Sequence, residues 1–263
     1  MKYGVLSKSL LAAAALVAIG CVGAQAQADS INVTQTAIPA GTFGTSNVNL
    51  TTQGSIDWFY FDGTTSTTTK AAGAGTLVQK DVTTHAITPP AVGAGGWSSG
   101  TAGQSFTWTD GTPTTSGTDA HGFTKTDPVS GTTTSSDTSF SFTVTADGNE
   151  QTLIVSAGSY GFDIPANVTD TYTLGSSTPV SVTNTSAKGT TWWYDTVNFQ
   201  GTAGETLTVN LAASANPGST SGGKVLLAAA TLSDASPVPE PASLGLMGIG
   251  GATLLLVGRR KRA

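Results

Sequence analysis

One cysteine in 263 residues excludes a disulfide-stapled scaffold, because a bridge needs two thiols. Charge is scarce too: 10% of the chain is Asp, Glu, Lys or Arg, against about 25% in an ordinary globular protein. Three glutamates in all leave no room for the Ala/Glu/Lys/Leu pattern of a coiled coil or helical bundle. Arginine is absent before residue 259, and the only histidines are His85 and His121. They have no His-x-x-x-His spacing, so a zinc site would need long-range pairing that the sequence does not show. Between Asp29 and Glu240 there are five lysines (Lys70, Lys80, Lys125, Lys188, Lys224) against all 16 acids, a net charge of −11. Such a body is repelled by phosphate backbones and anionic lipid, which excludes nucleic acid as a partner.

The two ends read as addresses. Lys2 and Lys8 precede an apolar stretch from Leu10 to Val22, and Ala26-Gln27-Ala28 places small residues at −3 and −1 of a cut before Asp29. These are the three parts of a secretory signal over residues 1–28, cleaved after Ala28. A retained anchor competes with that reading. So does a lipoprotein, since Cys21 follows Ala18-Ile19-Gly20. At the other end, Ser236-Pro237-Val238-Pro239-Glu240-Pro241 is held extended and helix-free by its prolines. Ala242 to Gly258 follows, roughly 25 Å long as a helix and enough for a thin bilayer. The closing Arg259-Arg260-Lys261-Arg262 stays cytoplasmic under the positive-inside rule, so the body faces out. A plain C-terminal membrane tail is the simpler alternative.

In order and position, Val238-Pro239-Glu240-Pro241, the short apolar helix and the terminal basic cluster closely resemble the PEP-CTERM sorting signal of exported Gram-negative bacterial proteins. The resemblance covers about 27 residues at the extreme end. It implies recognition by an exosortase at Pro239, Glu240 and Pro241, and removal of the membrane helix. Delivery to the cell surface or an exopolysaccharide matrix would follow. It assigns no activity to the body.

The body, residues 29–235, reads as all-β: a single β-sandwich or jelly roll between a signal peptide and a 236–263 sorting tail. Threonine is the commonest residue, with 46 copies, and Thr, Ser and Gly are poor helix formers. Ser139-Phe140-Ser141-Phe142-Thr143-Val144-Thr145 alternates apolar and hydroxyl side chains, as does Leu207-Thr208-Val209-Asn210-Leu211. Further strand candidates are 56–61, 106–108, 153–155, 172–174, 180–182, 197–199 and 225–227. Asp62-Gly63, Asp110-Gly111 and Asp147-Gly148 supply turn pairs that tolerate positive φ. The Thr/Ser/Gly runs Gly63–Thr69, Thr83–Gly103 and Asp127–Ser139 read as surface loops. A looser resemblance rests on Asp57-Trp58, Phe106-Thr107-Trp108-Thr109-Asp110-Gly111-Thr112-Pro113, Thr152–Val155 and Val225–Leu232. They are similar to a module of exported bacterial proteins for which a galactose-binding-like jelly roll is expected. The chain departs from it at Phe59-Tyr60-Phe61, where a second Trp-Gly would stand.

Catalytic patterns fail on context. Gly96-Trp97-Ser98-Ser99-Gly100 matches G-x-S-x-G, with Asp119 and His121 downstream. A nucleophile elbow, however, needs a strand before the Ser and a helix after it, and Pro- and Gly-rich loop surrounds this one. Asp110, Asp119, Asp127 and Asp137 lack the alternating spacing of a calcium loop. A structural calcium on backbone carbonyls stays open, and no other cofactor is indicated. Glu150 and Glu205 flank turns and read as solvated. The consecutive aromatics Trp192-Trp193-Tyr194 are the remaining candidate. On a strand, Trp193 faces opposite its neighbours, so one side enters the core while the other is either a glycan platform or a loop-covered ring. The sequence therefore favours a non-enzymatic surface or matrix protein with a structural, adhesive or glycan-contacting use. Its partners would be an exosortase, the secretion machinery and exopolysaccharide. An extracellular carbohydrate-active hydrolase is the alternative from another class.

Overall fold

The computed structural model describes residues 29–39, 42, 45–61, 67–71, 87–88, 95–96, 103–112, 114–120, 122–125, 139–161, 167–185, 189–214 and 223–235. The signal segment and the sorting tail lie outside them. Among the described residues no helix is long and apolar enough to cross a membrane. The described residues are strand almost throughout, interrupted among them by one helical turn, α1 (Leu50–Gln53).

Three sheets stack on one another. In the middle lies a nine-stranded sheet. Its main path runs β1 (Ser30–Ile38), β15 (Gly189–Gln200), β12 (Gln151–Gly161), β17 (Gly223–Asp234), β3 (Asp57–Phe61), β4 (Thr67–Lys70) and β8 (Gly111–Thr112). β10 (Thr124–Lys125) joins β17 and β6 (Gly95–Gly96) beside this path. One face packs on a five-stranded sheet ordered β14 (Val180–Thr185), β13 (Asn167–Leu174), β16 (Thr206–Ser214), β11 (Ser139–Thr145) and β5 (Ile87–Thr88). The other face is covered by α1 and a three-stranded sheet of β2 (Asn47–Asn49), β7 (Ser105–Trp108) and β9 (Gly117–Ala120). The expected sandwich is present, and the third small layer is added to it.

Burial explains which sequence patterns form which layer. In β11, Phe140, Phe142 and Val144 are buried while Ser139, Ser141 and Thr145 are exposed. β16 and β13 alternate in the same way, because one face of their sheet meets the core and the other meets water. β3 is buried at all five positions, and β17 from Val225 to Leu232. These strands sit in the middle layer and need apolar side chains on both faces. Phe59, Phe61, Leu153, Val197, Phe199 and Leu227 fill the gap to the five-stranded sheet. Leu50, Trp58, Tyr60, Phe106, Trp108 and Trp192 fill the opposite gap. The β12–β17 register shifts at Ser156/Ala157 and skips Ala228. Ala228 and Ala229 thereby both join the second core, as an inserted bulge residue allows.

Every strand candidate read from the sequence lies on a strand, and Asp147-Gly148 forms the β11–β12 turn. Gly148 takes φ +97°, and the Asn149 N–H donates to the Asp147 carboxylate at 2.8 Å. Two loop expectations need correction. Thr67 to Lys70 belong to β4 rather than to a loop, and Thr83–Gly103 contains the short strands β5 and β6. β-branched threonines suit a half-buried strand, and Thr68 and Lys70 are buried there. β1, absent from the sequence candidates, closes the edge of the large sheet in nine-residue register with β15. Ser30 pairs with Gln200, Gln151 pairs with both Phe199 and Asp234, and the Ala235 N–H donates to the Glu150 carbonyl. Both ends of the body therefore lie at one pole, beside the turns at 146–150 and 201–205.

Candidate functional site

Two polar clusters are built into this fold, and both are enclosed. The first underlies the Trp108-Thr109-Asp110-Gly111 turn. β4 brings Lys70 under this turn, where its Nζ lies 3.0 Å from Asp110 Oδ2 and donates to the Gly54 carbonyl at 2.9 Å. Trp58 Nε1 and Thr51 Oγ1 donate to Asp110 Oδ1 at 3.1 and 2.5 Å, and the Thr109 N–H donates to Thr51 Oγ1. The Lys70 and Asp110 side chains are 2% and 10% exposed, so this ion pair is desolvated and each charge depends on the other. Around it Trp58, Tyr60 and Trp108 stack at centroid distances of 5.0 and 5.9 Å. Trp108 Nε1 donates to the Thr114 carbonyl. A Cβ on Gly117 would stand 2.3 Å from the Trp108 ring, so the turn closes only because that residue has no side chain. Asp110, in the sequence part of a turn pair, is the anchor of this layer.

The second cluster sits between the two large sheets, beside their β1 and β14 edges. Asp170 on β13 and Asp195 on β15 face each other across the core, each 0% exposed, and each carboxyl feels the other's charge. Asp195 accepts from the Tyr172 hydroxyl and from Gln35 Nε2 at 2.7 Å. Asp170 accepts from Trp193 Nε1 at 2.8 Å and Asn184 Nδ2 at 3.2 Å. Burial, then the neighbouring Asp195 charge, pushes the Asp170 carboxyl well above the usual carboxylate range. Burial also raises Asp195, but the Tyr172, Gln35 and Asp170 hydrogen bonds oppose that rise. Asp170 is thus the carboxyl of the pair that keeps its proton to the higher pH. Burial and the two carboxylates likewise push the Tyr172 phenol well above the ordinary tyrosine range. No sequence pattern announced this pair, because its members lie 25 residues apart on strands of different sheets. The one legible hint was an Asp in an inward position of each alternating strand.

The pair is not arranged for glycoside hydrolysis. That chemistry needs carboxyl groups about 5 Å or more apart with a sugar between them, whereas these touch each other inside a dry core. Among the described residues, no group of three or more His, Cys, Asp or Glu side chains is placed to hold a metal ion.

The aromatic triplet follows the alternation expected of it. Trp193 enters the core between the large sheets, while Trp192 and Tyr194 face the smaller layer. Of the two possibilities left open for the second face, a platform or a covered ring, burial favours the covered one: both tryptophans are 1% or less exposed. The physical reason is the third layer. β15 is covered on both sides, and Trp192 packs edge-to-face on Phe123 with Gly103 close against it. Neither indole offers a face to a sugar, and the loop-covered reading is the one realised. Tyr194 is half-buried. Ala28, Pro239, Glu240, Pro241, the loop Trp97–Gly100, His85, His121, Asp127 and Asp137 lie outside the described residues, as does the Asp119 side chain.

Comparison with known proteins agrees with the reading of the tail. Residues 237–262 match the family model described as the PEP-CTERM protein-sorting motif. The motif marks an exported protein sorted by an exosortase. No curated protein matches the chain. The solved structure of TmCBM61 in complex with beta-1,4-galactotriose is similar at 15% identity over 43% of this chain and 70% of that one. Its TM-score is 0.26, a likeness too slight to carry argument about the body.

Proposed function

We propose that the protein is a non-enzymatic component of the cell surface or extracellular matrix of a Gram-negative bacterium. Its β-sandwich is the displayed part, with a structural, adhesive or glycan-contacting use. The observation that carries this reading is the sorting motif at 237–262, attached through a proline-rich spacer to the end of β17. Chemistry inside the body supports the non-enzymatic side. Asp170 and Asp195, the carboxylates that face each other between the large sheets, are enclosed in the core, and Asp110 is neutralised by Lys70. In the native host, the uncleaved chain is held in the inner membrane by the apolar segment 242–258. Exosortase processing then frees the body from that helix.

The test is a chain with Pro239, Glu240 and Pro241 all replaced by Ala, expressed in the native host. It should accumulate in the membrane fraction with its basic tail attached, while the parent reaches the surface. Equal surface delivery of both chains would contradict the proposal.

A further inference from the structure

The outward face of the five-stranded sheet carries an unusual pattern. Its positions include Ser181, Thr183 and Thr185 on β14, Asn167, Thr169, Thr171 and Thr173 on β13, Thr206, Thr208, Asn210 and Ala212 on β16, and Ser139, Ser141, Thr143 and Thr145 on β11. All of these are exposed or half-exposed. Apart from Asn167, Asn210 and Ala212, every one of these side chains ends in a hydroxyl, and none is charged or aromatic. Strand pairing sets them in rows. Thr183, Thr169, Ala212 and Ser139 lie opposite one another, as do Ser181, Thr171, Asn210 and Ser141, and Thr173, Thr208 and Thr143. Rows of this kind repeat about every 6.6 Å along the strands, with about 4.8 Å between neighbours across them.

Charge partition is a second, independent observation. The body, residues 29–235, carries a net −10 from 15 acids and five lysines, yet these four strands hold a single acid, Asp170, and it points inward. An ordinary solvated sheet face would share in the charge of the surface. The occupant that suits this one is electrically neutral, since it meets no charge to pair with and obliges none to be desolvated. An extended occupant suits it, because the hydroxyl rows run across four neighbouring strands. A hydroxyl both donates and accepts. Cross-strand pairs at Thr169–Thr183 (3.2 Å) and Thr171–Ser181 (3.1 Å) hold some of the rotors in order while leaving acceptor capacity free.

We infer that this face is the docking surface for a neutral polysaccharide, laid across the strands and held by many weak hydrogen bonds. The inference rests on the glycan-contacting part of the proposed function and gives it a location and a ligand class. Each contact competes with water, so binding grows with polymer length rather than with any one sugar.

The test uses the full chain purified in mild detergent, with amorphous cellulose and dextran as neutral probes and alginate as an acidic one. The face variant carries Thr171→Lys and Ser141→Lys. A control carries the same two charges elsewhere, as Asn32→Lys and Asn149→Lys. Melting temperatures confirm that both fold. The parent and the control should bind a neutral probe, with the face variant roughly tenfold weaker, the scale of one or two lost hydrogen bonds. Equal binding by all three chains would overturn the location while leaving the glycan reading intact. A parent that binds no neutral probe, or alginate alone, would overturn the glycan reading itself. Loss of self-association rather than of polysaccharide binding in the face variant would assign the face to a second copy and overturn the inference.

Discussion

Asp170 is the residue at which the fold's electrostatics are most exposed to test. In the unfolded chain its carboxyl titrates near the ordinary value of about 3.9. In the native state burial and Asp195 hold it protonated well above that. The folded protein therefore binds more protons than the unfolded one in the window between the two values. Stability attached to this group is complete below about pH 4 and is lost as pH rises toward the native pKa, with a limiting slope of about 1.4 kcal/mol per pH unit. Asp170→Asn keeps an oxygen for Trp193 and Asn184 and an N–H for Asp195, without an ionisable proton. The stability difference between Asp170→Asn and the parent should therefore shift in favour of the variant from pH 4.5 to pH 8. Urea unfolding at the two pH values measures this, and a difference independent of pH would contradict the raised Asp170 carboxyl.

β15 shows what an element can hide from its own sequence. Trp192 and Trp193 point to opposite faces, and both faces are covered, so Trp192→Ala and Trp193→Ala should each cost about 3–5 kcal/mol. Denaturant midpoints of the two variants measure this, and a loss below about 1 kcal/mol at Trp192 would mean that its cover is not packed. Alternation told the two faces apart but could not tell that the second was roofed. The roof is α1 with β2, β7 and β9, whose residues are distant in the chain and whose own pairing is partly parallel. A hint lay in Trp58-Phe59-Tyr60-Phe61 and in Val225–Leu232, which are too continuously apolar for one wet face. Clean alternation in β11 and β16 made those strands of the five-stranded sheet legible, whereas β5 lay in a stretch read as a loop. β1 has the same alternation at Ile31 and Val33, and its edge role became visible only with its partner. The Asp170–Asp195 contact joins two sheets, which no local pattern records.

On the scale of the whole molecule, the body gathers its two ends at one pole. Asp29, Asp147, Glu150, Glu205 and Asp234 cluster near the same end. Burial and the neighbouring Asp147 charge raise the Asp234 carboxyl, a sign of crowding among these acids. β17 ends at this acidic pole, and the sorting motif at 237–262 follows it in sequence. Legibility at this scale was uneven. The tail could be read outright, because short linear motifs are recognised as sequence, whereas a use for the body depends on a surface formed by four strands. The central claim is that the body reaches the surface after losing its membrane helix. Mass spectrometry of the protein recovered from the surface of the native host tests this most directly. The account predicts a C-terminus near Pro239-Glu240-Pro241, and an intact Lys261-Arg262-Ala263 end on that material would contradict it.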